Sequence, residues 1–166
     1  TYEVAAELGG TTTTTGYEVI EASPVPGEAG LYVTFVATRA PGSATARFQP
    51  ALPLKVVELP IVPSATFTTA GTDPASQVAV SWRSTVTTKT RVDACGTPLD
   101  AYRVQLSDGR AVGPALDVTF TAAYAIGTQY GGLSLADELV VQGNEGDDTV
   151  SRRIKSTVSA EPGGRA

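Results

Sequence analysis

Histidine and methionine are absent from this chain of 166 residues, and cysteine occurs once. Without imidazole there is no Ser-His-Asp or Cys-His activation of a nucleophile, no His-ligated metal, and no side chain that ordinarily titrates near neutrality. The one thiol, Cys95, has no partner for an internal disulfide and no companions for a zinc site. A buried free thiol in a sheet is its expected role. No run of Lys or Arg forms a basic stripe, and the formal net charge is −5. Nucleic acid is therefore not an expected partner, and an anionic membrane surface has nothing to attract. No apolar run nears the ~18 residues of a spanning helix. No G-x-G-x-x-G or Walker-type loop occurs. No stretch carries a convincing apolar stripe at helical period; the best window, 134–140, is short.

What the chain does contain is alternation. Its apolar set is mainly Val, Ala and Leu beside abundant Thr, and β-branched residues are stiff at χ1 and suit a pleated surface. Tyr2, Val4, Ala6 and Leu8 alternate with polar or small residues, as do Leu31, Val33, Phe35 and Ala37. The Thr11 to Thr15 tract reads as a solvated loop or edge. Residues 52–59 are apolar, but Pro50, Pro53 and Pro60 confine them to an edge or an extended crossing segment. Val78, Val80, Trp82 and Val86 share a face, and so do Tyr102, Val104 and Leu106. A long run follows in Leu116, Val118, Phe120, Ala122, Tyr124 and Ile126, and Leu133, Leu135, Leu139 and Val141 continue it. Gly96 with Pro98, Ser107-Asp108-Gly109 and residues 144–148 mark turns; Gly131-Gly132 marks a break or bulge.

This pattern predicts an all-β fold: an antiparallel meander of about ten strands, closed or half-open as a strongly curved β-barrel, with a sandwich as the other way to protect its edges. One domain over 1–160 is expected, with 1–60 and 61–160 as sub-units left open, and 161–166 as a disordered tail. Secretion or a cell-envelope location is expected from the Thr/Ser/Gly/Ala-rich, Lys-poor composition and the lack of an initiator Met. On that reading the chain starts within, or just before, a mature domain.

Four segments in order carry a resemblance. Leu54-Lys55-Val56-Val57-Glu58-Leu59-Pro60 is similar to an extended apolar segment ending in Pro. Ala94-Cys95-Gly96-Thr97-Pro98-Leu99-Asp100-Ala101-Tyr102-Arg103-Val104 resembles an A-G-T-F-D-A-Y-R-V hairpin, with Cys95 and Leu99 standing where a small residue and an aromatic are usual. Residues 123–133 resemble a strand-bend-strand, and the closing hairpin over 139–158 follows in place. Together they resemble a group of bacterial envelope β proteins that includes lipoprotein carriers and mycobacterial lipid-binding lipoproteins. The resemblance implies a curved antiparallel sheet that holds acyl chains against its concave face; the helices that lid such cavities have no counterpart here.

The residues themselves offer little chemistry. Asp137 and Glu138 are adjacent, so in a strand they point to opposite faces and do not flank a cleft. Asp147 and Asp148 read as a solvated turn. The cluster of oxygen ligands at 144–148 does not match a spaced calcium loop. Asp73 and Asp93 read as turn or cap residues. No catalytic residue, metal site or cofactor is expected. A hydrophobic ligand pocket, if there is one, is expected between Trp82, Tyr102, Phe120 and Tyr124, with Tyr130 beside it; plain core packing is the competing role of these rings.

Two functions compete. One is a non-catalytic secreted or envelope module that binds a lipid or other hydrophobic small molecule on the concave face. The other is a structural surface, fibre or assembly subunit that self-associates through strand edges, the first strand among them. A hydrolase comes third, because the acid-base inventory is so thin.

Overall fold

Alternating Thr/Val stretches punctuated by Gly and Pro favour satisfying their backbone groups in ladders. The computed structural model describes residues 2–8, 11–23, 30–39, 46–58, 60–94, 96–127 and 133–157. Among these are eleven strand segments and no helix. In chain order they are β1 (Tyr2–Leu8), β2 (Thr11–Ser23), β3 (Gly30–Arg39), β4 (Ala46–Phe48), β5 (Leu54–Glu58), β6 (Thr66–Asp73), β7 (Val78–Ala94), β8 (Thr97–Gly113), β9 (Leu116–Gly127), β10 (Leu133–Glu145) and β11 (Asp148–Thr157). All pairings are antiparallel and belong to one sheet, ordered β4-β3-β2-β1-β11-β10-β9-β8-β7-β6, with β5 also paired to β3.

The ladder is open, since β6 has β7 as its one ladder neighbour. Its two ends nevertheless meet. The chain after β4 reaches β6, where Ala51 N–H donates to Thr72 O (2.9 Å) and the Thr69 hydroxyl donates to Lys55 O (2.7 Å). Asp73 ties the same corner. Its carboxylate accepts from Gln49 N (3.2 Å), Ala75 N (2.8 Å) and the Ser76 hydroxyl (2.9 Å). The aspartate expected to shape a turn therefore also joins the two ends of the path.

β5 supplies the cover for the inner apolar face. Leu54 and Val57 pack with Trp82 and Val86 of β7, Val104 and Leu106 of β8, and Ala122 and Ile126 of β9. Prolines 50, 53 and 60 keep this segment from becoming a long interior strand, as the sequence predicts; it is both a short partner of β3 and a crossing piece. Gly71 of β6 makes room for it, because a Cβ there would meet Leu54 Cδ2.

Two sequence expectations change, and one open alternative is resolved. Ser107-Asp108-Gly109 is a β-bulge within β8 and not a turn: register slips between Leu106 and Gly109 against β9, and Asp108 takes φ 53°. The extra residue lets one long strand twist without ending. Of the two readings of the Thr tract, loop or edge, the edge holds: it starts β2, and in the described ladder Thr11 to Thr14 pair with β1 alone, since the β2–β3 register begins at Tyr17. The first strand is not an edge, because β11 returns beside it and places β1 between β11 and β2.

Two measurements check this account. Leu54→Ala should cost about 2–5 kcal/mol in urea unfolding, while Leu52→Ala, two residues earlier and 75 % exposed, should stay within about 0.5 kcal/mol. Burial pushes the Asp73 carboxyl up, but the hydrogen bonds from Ala75, the Ser76 hydroxyl, Gln49 and Ser76 N outweigh it and hold the group below the ordinary carboxylate value. A folded pKa below the unfolded one adds stability above the unfolded value, and that stability is lost as pH falls through it towards the folded value. The melting-temperature gap between wild type and Asp73→Asn should therefore be widest near neutrality and close below about pH 4.

Candidate functional site

Three strands bring the predicted aromatic residues to one face. Trp82 of β7, Tyr102 of β8, and Phe120 and Tyr124 of β9 all meet the inner cluster. The Trp82 and Phe120 rings sit 6.3 Å apart and tilted by 59°, a favourable edge-on geometry. Trp82 is buried; Tyr102, Phe120 and Tyr124 are half-buried and pack round it. Phe120 lies across Gly109, where a Cβ would strike the Phe120 main-chain oxygen. Tyr130 lies outside the described residues, and so does Cys95.

The polar atoms near this cluster have partners. Trp82 Nε1 donates to Ser84 Oγ (3.1 Å), which is itself fully buried. Among the described residues no buried side-chain nitrogen or oxygen lacks a hydrogen bond, so none is left poised towards an absent ligand. The space over the rings is taken by Leu54 and Val57 of the same chain.

A second apolar cluster on the opposite face comes from another bulge. Register slips between Val86 and Lys89 of β7, so Val92 turns away from the inner cluster and joins Leu99, Ala101, Ala125 and Leu135. Beside it is an open groove of about 260 Å³. Ala123, Ala125 and Ala136 line it, with Arg103, Glu138 and Lys155 also on its walls, and Tyr124 borders it. Glu138 is held by Arg153 (3.2 Å) and Lys155 (3.5 Å) from β11. Val86 and Val92 are in step on a period of two, so local alternation carried no signal for this second face.

The carboxylates stay apart. Asp137 pairs with Tyr124 and Glu138 with Ala123, so their side chains leave opposite faces as expected. Asp147 and Asp148 are exposed at the β10–β11 turn. Asp93 accepts from Gly96 N in the β7–β8 connection, the turn role read from sequence. Exposed pairs Arg83–Asp108, Arg91–Asp100 and Arg110–Asp117 join neighbouring strands. Among the described residues no three acidic or thiol side chains gather where a metal could sit, and no helix is long and apolar enough to cross a membrane.

Fold and site thus define a class by architecture: an all-β protein of one antiparallel sheet, with an aromatic-centred apolar cluster on its inner face. No family model, curated protein or solved structure matches the chain.

Trp82→Ala should lower unfolding stability by about 3–5 kcal/mol, as for a large core ring. Glu138→Gln, which breaks only exposed pairs, should cost under about 1 kcal/mol by the same measurement.

Proposed function

We propose that this chain is a non-catalytic module of an extracytoplasmic or envelope protein and that it serves as a structural or assembly subunit. The observation that carries this reading is that Leu54 and Val57 of β5 occupy the inner apolar face around Trp82, where a carrier would seat its ligand. The paired polar groups and the lack of histidine support it, since neither leaves a poised acid, base or nucleophile. The resemblance of residues 94–104 to an envelope hairpin supports the location. In this reading the sheet is a half-open barrel whose gap between β3 and β6 is bridged by β5.

Lipid holding is the second reading, and one observation favours it. Tyr102, Phe120 and Tyr124 remain half-buried around the cluster, and β5 is only five residues long between prolines. A hydrophobic ligand would have to take the place of β5, exchanging one apolar cover for another at roughly 25 cal/mol per Å².

Native mass spectrometry of the purified protein separates the two. The expected spectrum carries protein mass alone. Co-purified lipid, retained by wild type and lost on Trp82→Ala, would overturn the structural reading.

A further inference from the structure

We propose that β6 is a self-pairing edge: two copies of the chain join their sheets antiparallel, β6 against β6, about a two-fold axis at Thr68. The proposal rests on the assembly reading above and names its partner as a second copy.

The main-chain directions come first. Val86 N–H donates to Ala65 O, so the odd-numbered residues around β6 turn their backbone groups towards β7. Thr72 O accepts from Ala51 N on the other side, so the even-numbered residues turn theirs away. The β6–β7 register runs without a slip from Thr66 opposite Thr85 to Asp73 opposite Val78, so this alternation holds along the strand. The amide and carbonyl groups of Thr66, Thr68 and Ala70 therefore line the open edge, and their side chains are exposed. The chain at 49–51 covers only the Thr72–Asp73 end. Among the described residues, β5 meets β6 from its inner side, through Thr69 and Gly71, and does not bond the outward main-chain groups of Thr66, Thr68 or Ala70.

This edge lacks the devices that usually blunt one. From Thr66 to Gly71 there is no Pro, no charge and no bulge. The one acid of the strand, Asp73, is buried and bonded within its own chain. The other end of the path differs: β4 has three residues, includes Arg47 and is soon followed by Pro50.

The edge is also self-complementary. A two-fold axis at Thr68 sets Thr68 opposite its copy and Thr66 opposite Ala70, giving about six main-chain hydrogen bonds and no opposed like charges. The interface is isologous, as closed dimers require. Leu52 (75 % exposed) follows the Ala51 bond at one end of β6, and Val62 (57 %) precedes its other end. Antiparallel pairing brings the Leu52 end of one copy to the Val62 end of the other, which covers both.

Sedimentation velocity from micromolar to millimolar protein tests the proposal. Wild type should shift from monomer to dimer as concentration rises. Thr68→Pro removes one outward amide without touching the β7 ladder, and Thr68→Lys sets like charges across the axis. Both should stay monomeric, with unchanged β-type circular dichroism; if the proline variant does not fold, the lysine variant decides. In a Cys95→Ser background, Thr68→Cys should yield a disulfide-linked dimer, whereas Gln105→Cys, exposed in mid-sheet, should not. Wild type that stays monomeric at millimolar concentration overturns the self-pairing, as does a dimer that survives both Thr68 variants. A lipid-loaded protein in the mass spectrum would instead overturn the functional reading beneath it, so the two failures are told apart.

Discussion

An antiparallel sheet with one apolar face must cover that face or lose most of its stabilisation to water. Here the cover is five residues of the same chain. β5 pairs with β3 near one end of the ladder and reaches β6 at the other, so laying Leu54 and Val57 over Trp82 also draws the two ends of the sheet together. The prolines on either side make the segment a poor interior strand and a good bridge. Asp73 holds the corner where the bridge arrives, with its bonds to Gln49, Ala75 and Ser76.

On the assembly reading proposed above, that constraint directs function outwards. Among the described residues, Leu54 and Val57 of the same chain pack against the aromatic cluster, and the buried polar atoms beside it are already bonded. What is presented to other molecules is the outer face, laced by exposed ion pairs, and whatever edge the ladder leaves open. The two ends of the path are unequal, one short and followed by a proline, the other eight residues long and uncharged from Thr66 to Thr72. The inequality makes β6 the natural place to look for assembly.

Much of the strand pattern was legible because side chains in a strand alternate with a strict period of two. Val80, Trp82 and Val86 were read onto one face and meet there, with Val78 in phase along the unslipped β6 pairing; Tyr102, Phe120 and Tyr124 were grouped with Trp82 and do meet. The bulges were harder. Ser107-Asp108-Gly109 has the composition of a turn, and only the continuous pairing of β8 with β7 and β9 makes it a bulge. The slip after Val86 likewise hid the second apolar face, because one added residue reverses which side each later residue occupies. Tyr130 and Cys95 fall outside the described residues, so their roles rest on sequence.

By itself the sequence determined the strands, the acidic balance and the poverty of acid-base groups, since these follow from residue type and local period. Only the tertiary structure decided that β1 is interior, that β6 ends the described ladder, and that the aromatic cluster is capped by β5. Each of those depends on which distant segment lies alongside: β11 returning beside β1, and Leu54 arriving over Trp82. Pairing between segments so far apart in the chain depends on how the whole sheet bends, which no local pattern encodes.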